Sequence, residues 1–339
     1  MAIDIVIFVA GLVLAAMTLR DVFETVVVPG GSKASFRVTK RLLWMLLPLW
    51  KAARGKRRGL SGTFAPLVLV LSFIIWIALL ALGFGLMAYA MRTSYDPTLR
   101  SVPEAIYMVG SAIVTIGVSE ENALGVGRWI VLAAGFCGLA VMTMAVTYLL
   151  QVQSSVSRRD VGIIKLNTAA GEPPSAVTLL QRFAAIGNAD ELVTVLREGR
   201  DWCATVRQSH SNHPSLIYFQ SVGTGAGWPA ALGALLDLAL LSEHCLEDAS
   251  LAGAAVLLRA EGTSMARELA GVVGLRPSEA TPSEPELRQA AEHLDAAGYD
   301  IRPDIDFAVV AEQRSEYRGC VDALAKHLGK ACTVLVRQG

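Results

Sequence analysis

Residues 101–120 read Ser-Val-Pro-Glu-Ala-Ile-Tyr-Met-Val-Gly-Ser-Ala-Ile-Val-Thr-Ile-Gly-Val-Ser-Glu. The stretch is apolar, but it is too short and too broken for the ~20-residue helix that crosses a bilayer. Ser101 can cap a helix, Glu104 three residues on completes a capping box, and Pro103 suits a first turn. A short helix is therefore expected over 102–114, followed by an extended segment over 115–119. Non-helical backbone at membrane depth is tolerated only inside protein or along a water-filled path. The sequence on either side decides which environment this is.

Both flanks are long enough to span. Phe64 to Met91 is an uncharged run of 28 residues and Trp129 to Gln153 one of 25. They predict an outer helix at 64–91 and an inner helix at 129–153, within a module of residues 61–155. Residues 1–30 predict a further span, whose apolar run from Ile5 to Leu19 leads into Arg20, Asp21 and Glu24. Those charges either satisfy one another at the membrane boundary or make a gating or assembly contact with another helix.

Residues 31–60 carry nine Lys or Arg and no Asp or Glu. Their apolar core, Leu42 to Trp50, is too short to span, and Trp44 and Trp50 suit the headgroup level. An interfacial helix on the cytoplasmic side is expected, with anionic lipid as a second role for the basic loop. The first residues lack the positive region of a cleavable signal. The charge pattern thus puts the N-terminus outside, residues 93–128 at the outer face of the cell (plasma) membrane and the C-terminal half in the cytosol.

Composition agrees with a membrane protein, since 53% of residues are hydrophobic. The formal net charge of zero implies no nucleic-acid partner. Five cysteines without a C-x-x-C form neither a disulfide framework nor a metal signature, and read as buried, reduced thiols. No span carries a basic residue at every third position, so no voltage sensor is expected.

The C-terminal end of a helix over 102–114 favours a cation. Carbonyls of Thr115, Ile116, Gly117 and Val118, repeated about an axis, can replace a cation's hydration shell. Gly117 permits the left-handed backbone that turns successive carbonyls inward. One such loop cannot enclose a path and four can, so a homotetramer is expected. Glu120 and Glu121 read either as an acidic ring at the outer mouth or as a solvated turn. Gly135 and Gly138 read as a gating hinge or as sites of close helix approach. Thr143 and Thr147 either line a cavity or bond their own helix backbone.

The succession of outer helix, Ser101-x-x-Glu104-Ala105-x-Tyr107, Thr115-Ile116-Gly117, acidic Glu120 and inner helix resembles the potassium-channel pore-loop superfamily over residues 60–155. The resemblance implies an all-α membrane protein with three transmembrane helices plus a re-entrant pore helix and filter, conducting potassium or other monovalent cations. The family filter is normally Thr-Val-Gly-Tyr-Gly-Asp. Here Val118 stands where an aromatic is usual and Ser119 where the second glycine is usual. A Ser held left-handed costs on the order of 1 kcal/mol that Gly does not. Val118 lacks the phenol that braces the filter. Both departures imply weak selectivity.

Residues 156–339 read as an all-helical cytosolic domain with a linker at 275–286. Helices are expected over 176–185, 188–197, 230–246, 251–259, 263–273, 286–297 and 305–329. Gly223-Thr-Gly-Ala-Gly227 has the wrong spacing for a dinucleotide loop and reads as a turn. His210 and His213 lack the neighbours of a metal site. No nucleophile–base pair can be argued, so neither catalysis nor a cofactor is expected beyond the permeant ions. The competing reading is a non-conducting receptor or scaffold on a degenerate pore fold, whose cytosolic domain binds an unidentified ligand or protein.

Overall fold

The computed structural model describes residues 1–28, 38–54, 58–187, 189–221, 225–278 and 283–336. The fold is all-α, in two compact units, Met1–Val152 and Gln153–Gly339. Parts of the expected basic loop (29–37 and 55–57), of the glycine turn (222–224) and of the linker (279–282) lie outside the described residues.

The first unit contains α1 (Ala2–Val26), α2 (Val38–Arg54), α3 (Arg58–Ala90), α4 (Val102–Ile113) and the start of α5 (Val126–Ala170). Among the described residues, α1, α3 and α5 are long and apolar enough to cross a membrane. Helices α1 and α3 run antiparallel, fixed at three levels. Arg92 donates to Asp4 at 2.6 Å, Gly11 and Gly83 meet backbone to backbone, and Trp76 Nε1 donates to Asp21 at 2.7 Å. A Cβ on Gly83 would lie 3.0 Å from the Gly11 carbonyl, so the small residues set the approach of the two helices.

The three charges of α1 therefore divide. Arg20 and Glu24 pair with each other at 2.7 Å, one turn apart. Asp21 is buried and bonds α3 through Trp76, and also accepts from the Val38 amide at the start of α2. Helix α2 lays Leu43, Leu47 and Trp50 inward, with Trp50 stacked on Phe64, and leaves Trp44 and Met45 exposed.

Two expected boundaries are corrected. Helix α3 begins at Arg58 rather than 64. Helix α5 does not stop at 153 but continues to Ala170. Hydropathy falls after Gln153, yet no proline or glycine interrupts the chain before Gly162. Arg159, Ile163, Leu166 and Ala170 keep one helical face buried.

The second unit adds α6 (Ala176–Ile186), α7 (Ala189–Asn212), α8 (Gly227–His244), α9 (Ala249–Val272), α10 (Glu284–Asp295) and α11 (Phe307–Leu328) to the last part of α5. Helix α8 is buried from Gly227 to Ser242, with α6, α7, α9 and α11 packed against it. This explains its hydrophobicity on all sides without a membrane. The break expected between 259 and 263 is absent. Gly262 lies inside α9 because its missing Cβ lets Leu236 approach, where a methyl group would sit 2.8 Å from Leu236 Cδ2. Helix α7 likewise runs past 197 to Asn212, and α10 starts inside the expected linker, at Glu284.

Two buried charge clusters hold this unit. Arg314 grips Asp237 with two bonds, 2.9 and 3.2 Å, and Tyr317 donates to the same carboxylate at 2.7 Å. Burial opposes charge on Asp237, but the Arg314 guanidinium outweighs it and holds the carboxyl below its ordinary value. Arg159 of α5 is fully buried. It donates to the Leu216 and Phe219 carbonyls, to Ser221 Oγ and toward His210 Nε2, and pairs with Asp160 at 2.9 Å. Since a guanidinium only donates, His210 must accept at Nε2 and be neutral. Burial, followed by Arg159, pushes its pKa well down.

Candidate functional site

The stretch at 101–120 folds from a built start to a built stop. Ser101 Oγ accepts from the Glu104 amide at 3.4 Å, while Glu104 Oε2 accepts from the Arg100 and Ser101 amides at 2.6 and 3.2 Å. This capping box launches α4. Ala105, Met108, Val109 and Ile113 form its buried face. Gly85 of α3 admits Ile106, and Gly138 of α5 admits Ile113, whose Cα would stand 2.7 Å from a Cβ at 138. Gly135 is looser, 3.5 Å from the Ala112 carbonyl by the same measure.

The chain enters and leaves this element at one place. Tyr95–Asp96 (β1) pairs antiparallel with Asn122–Ala123 (β2), and the Leu124 amide donates to the Ser94 carbonyl at 2.8 Å. Residues 97–121 thus form an excursion with its ends clasped together.

Helix α4 stops in a Schellman motif. The Thr115 amide donates to the Ala112 carbonyl at 3.0 Å and the Ile116 amide to the Ser111 carbonyl at 2.8 Å. The Gly117 amide reaches the same Ser111 carbonyl at 3.1 Å. The residue that must turn left-handed is Thr115, with φ +61°. Glycine is usual there, and a β-branched residue in this region is strained by about 1–2 kcal/mol. Gly117 follows with φ +70°, whereas Ile116, Val118 and Ser119 do not have positive φ.

Thr115 and Gly117 therefore alternate with Ile116 and Val118 in backbone hand. The sequence placed left-handed strain at Ser119, and the structure places it at Thr115. Ser119 closes a turn instead. Its hydroxyl accepts from the Glu121 amide at 3.1 Å and lies 2.8 Å from the Glu121 carboxylate.

Three successive amides are spent on the end of α4. Among the described residues, the carbonyls of Thr115, Ile116, Gly117 and Val118 accept no hydrogen bond. All these residues are exposed, Ile116 to 68% and Val118 to 55%. A Cβ on Gly117 would meet nothing within 4 Å. Its glycine is thus required by conformation and not by space. A row of free carbonyls at the C-terminal, partly negative end of a helix can coordinate a cation and cannot hold an anion.

Glu120 is exposed, and Glu121 is half-buried in the Ser119 turn. Thr143 and Thr147 bond the Leu139 and Thr143 carbonyls at 2.9 and 3.0 Å, yet both remain at the surface of α5. They are not brought to Thr115 by any contact within one chain. His210 serves Arg159, and no group of His, Cys, Asp and Glu able to hold a metal occurs among the described residues. All five cysteines are free thiols, with Cys137 and Cys332 only half-buried rather than enclosed.

Of the three charges for which a contact with another helix was one reading, Asp21 makes it, with Trp76 as a partner the sequence did not name. The strained Thr115 has no sequence signal, because threonine does not advertise positive φ.

Compared with known proteins, the chain matches no family model, no curated protein and no solved structure.

Proposed function

We propose that the chain is one subunit of a homotetrameric, potassium-channel-like cation channel, with Thr115, Ile116, Gly117 and Val118 as its filter. The observation that carries this reading is the set of four unbonded carbonyls beyond α4, created because the amides of 115–117 turn back onto Ser111 and Ala112. Alternating backbone hand at Thr115 and Gly117 supports it, since such alternation turns successive carbonyls toward one side. Strain at a non-glycine residue is found where function over-determines the backbone.

Four copies about an axis would enclose the path. Assembly is supported by the exposed stripe Trp129, Leu132, Phe136, Leu139, Met142 and Val146, which repeats every three and four residues along α5. The filter meets the outer solution at Ser119 to Glu121. Its outer end lacks a second left-handed glycine, so it offers fewer complete ion sites and conducts monovalent cations with weak preference for potassium. The protein lies in the plasma membrane, with 93–128 outside and the second unit in the cytosol.

Purified protein in liposomes tests the reading by cation flux. Flux that is lost in Gly117→Ala supports it. Absence of flux in every ionic condition favours the non-conducting receptor. The reversal potential in mixed potassium and sodium tests selectivity separately, and a value that follows potassium alone overturns weak selectivity.

A further inference from the structure

We propose a binding site for a small, uncharged, apolar molecule within the second unit, between α5, α6, α7 and α8. A cavity of about 90 Å³ lies there. Its walls are Gly162, Leu166 and Ala169 of α5 and Val195, Gly199 and Trp202 of α7, with α8 beneath. The site lies wholly in the second unit and stands whether or not the first unit conducts.

The lining decides the chemistry. Trp202 is the largest side chain in it, and its indole nitrogen is already bonded to the Arg159 carbonyl at 2.9 Å. The ring therefore presents only its carbon edge and face. The other walls are aliphatic or glycine, so no buried donor or acceptor awaits a polar ligand. The cavity opens to solvent on one side, so a guest gains chiefly by covering its apolar walls and releasing water from them. The volume suits one ring or a chain of a few carbons.

The rim sets the charge. Lys165 on α5 and Glu198 on α7 meet across the mouth at 3.1 Å. Both are more than half exposed, so their pairing is weak and can open for entry. A carboxylate would find Lys165 but oppose Glu198, and an amine the reverse. An uncharged guest disturbs neither. A small polar tail, such as a hydroxyl, can remain at the rim in water.

The test uses the full chain in detergent, with 4-bromobenzyl alcohol as probe. Bromine quenches nearby indole fluorescence. The expected result is saturable quenching with Kd on the order of 0.1–1 mM, as befits a ligand of this size. The saturable quenching should be absent from Trp202→Phe. Ala169→Leu and Val195→Phe fill the cavity from half-buried positions, and each should weaken binding at least about tenfold while the protein melts no lower. Two positions are used so that misfolding of one leaves the other. Quenching that is unsaturable, or independent of Trp202, or unchanged in both filled variants that fold, overturns the site. 4-Bromobenzoate and 4-bromobenzylamine should bind more weakly. Tighter binding of either overturns the assignment to uncharged ligands.

Discussion

Replacing Gly117 with alanine isolates the role of backbone hand at the candidate filter. The added methyl group meets nothing within 4 Å, so no clash arises within one chain. What remains is φ +70°, which costs an L-residue about 1–2 kcal/mol over the right-handed alternative. In one chain that is a modest penalty at an exposed loop. In a tetramer the four penalties fall on one concerted arrangement and sum to roughly 4–8 kcal/mol, or about a thousandfold or more in its population.

The assay is potassium flux from liposomes at matched tetramer content, with thermal melting as the control for folding. Flux should fall by at least about a thousandfold with little change in melting. D-alanine introduced by semisynthesis prefers positive φ and should retain flux. A folded, tetrameric Gly117→Ala channel with flux within a few-fold of the parent would refute the claim that left-handed backbone at 117 forms the path. Loss of flux in the D-alanine protein as well would assign the effect to the methyl group.

Other predictions concern packing and charge. Gly138→Leu drives a side chain into the Ile113 backbone and should destabilise the first unit by several kcal/mol, read as a lower Tm. Arg314→Met leaves Asp237 buried without its main partner and should cost roughly 3–5 kcal/mol, a fall in Tm on the order of 10 °C. The double variant Asp237→Leu/Arg314→Met should recover most of that loss, and failure to recover would count against the unpaired charge as its cause.

His210 and His213 both have pKa values lowered, chiefly by burial. The unfolded chain then binds protons more tightly than the folded one. Their contribution is present above about pH 6.5 and is lost as pH falls below it, by up to about 1.4 kcal/mol per pH unit for each histidine. Melts between pH 8 and 5 should therefore be flat and then decline, and His210→Gln, which keeps an acceptor for Arg159, should flatten the decline.

Much of the architecture is legible without coordinates. Uncharged runs longer than a bilayer is thick declare α3 and α5 because no folded context is needed to make them apolar. Ser101, Pro103 and Glu104 declare the start of α4 because a capping box is local chemistry within four residues. Gly117 points to left-handed backbone for the same reason, as only glycine adopts it without cost. Helix ends are less legible. The continuation of α5 to Ala170 depends on a domain that buries Arg159, Ile163 and Leu166, and the unbroken α9 depends on Leu236 packing against Gly262.

What is written locally in the chain is a helical protein whose segment 101–120 starts as a short capped helix between two helices long and apolar enough to cross a membrane. Composition, charge bias and short-range capping suffice for that. Only the tertiary structure decided that Thr115 takes the left-handed position, that the Ser111 carbonyl gathers two amides, and that four carbonyls are left without partners. Those outcomes depend on where α4 ends, which is set by Ile113 closing against Gly138 of a helix that begins beyond the loop. Local sequence cannot encode such a contact, because it exists only once the chain has returned on itself.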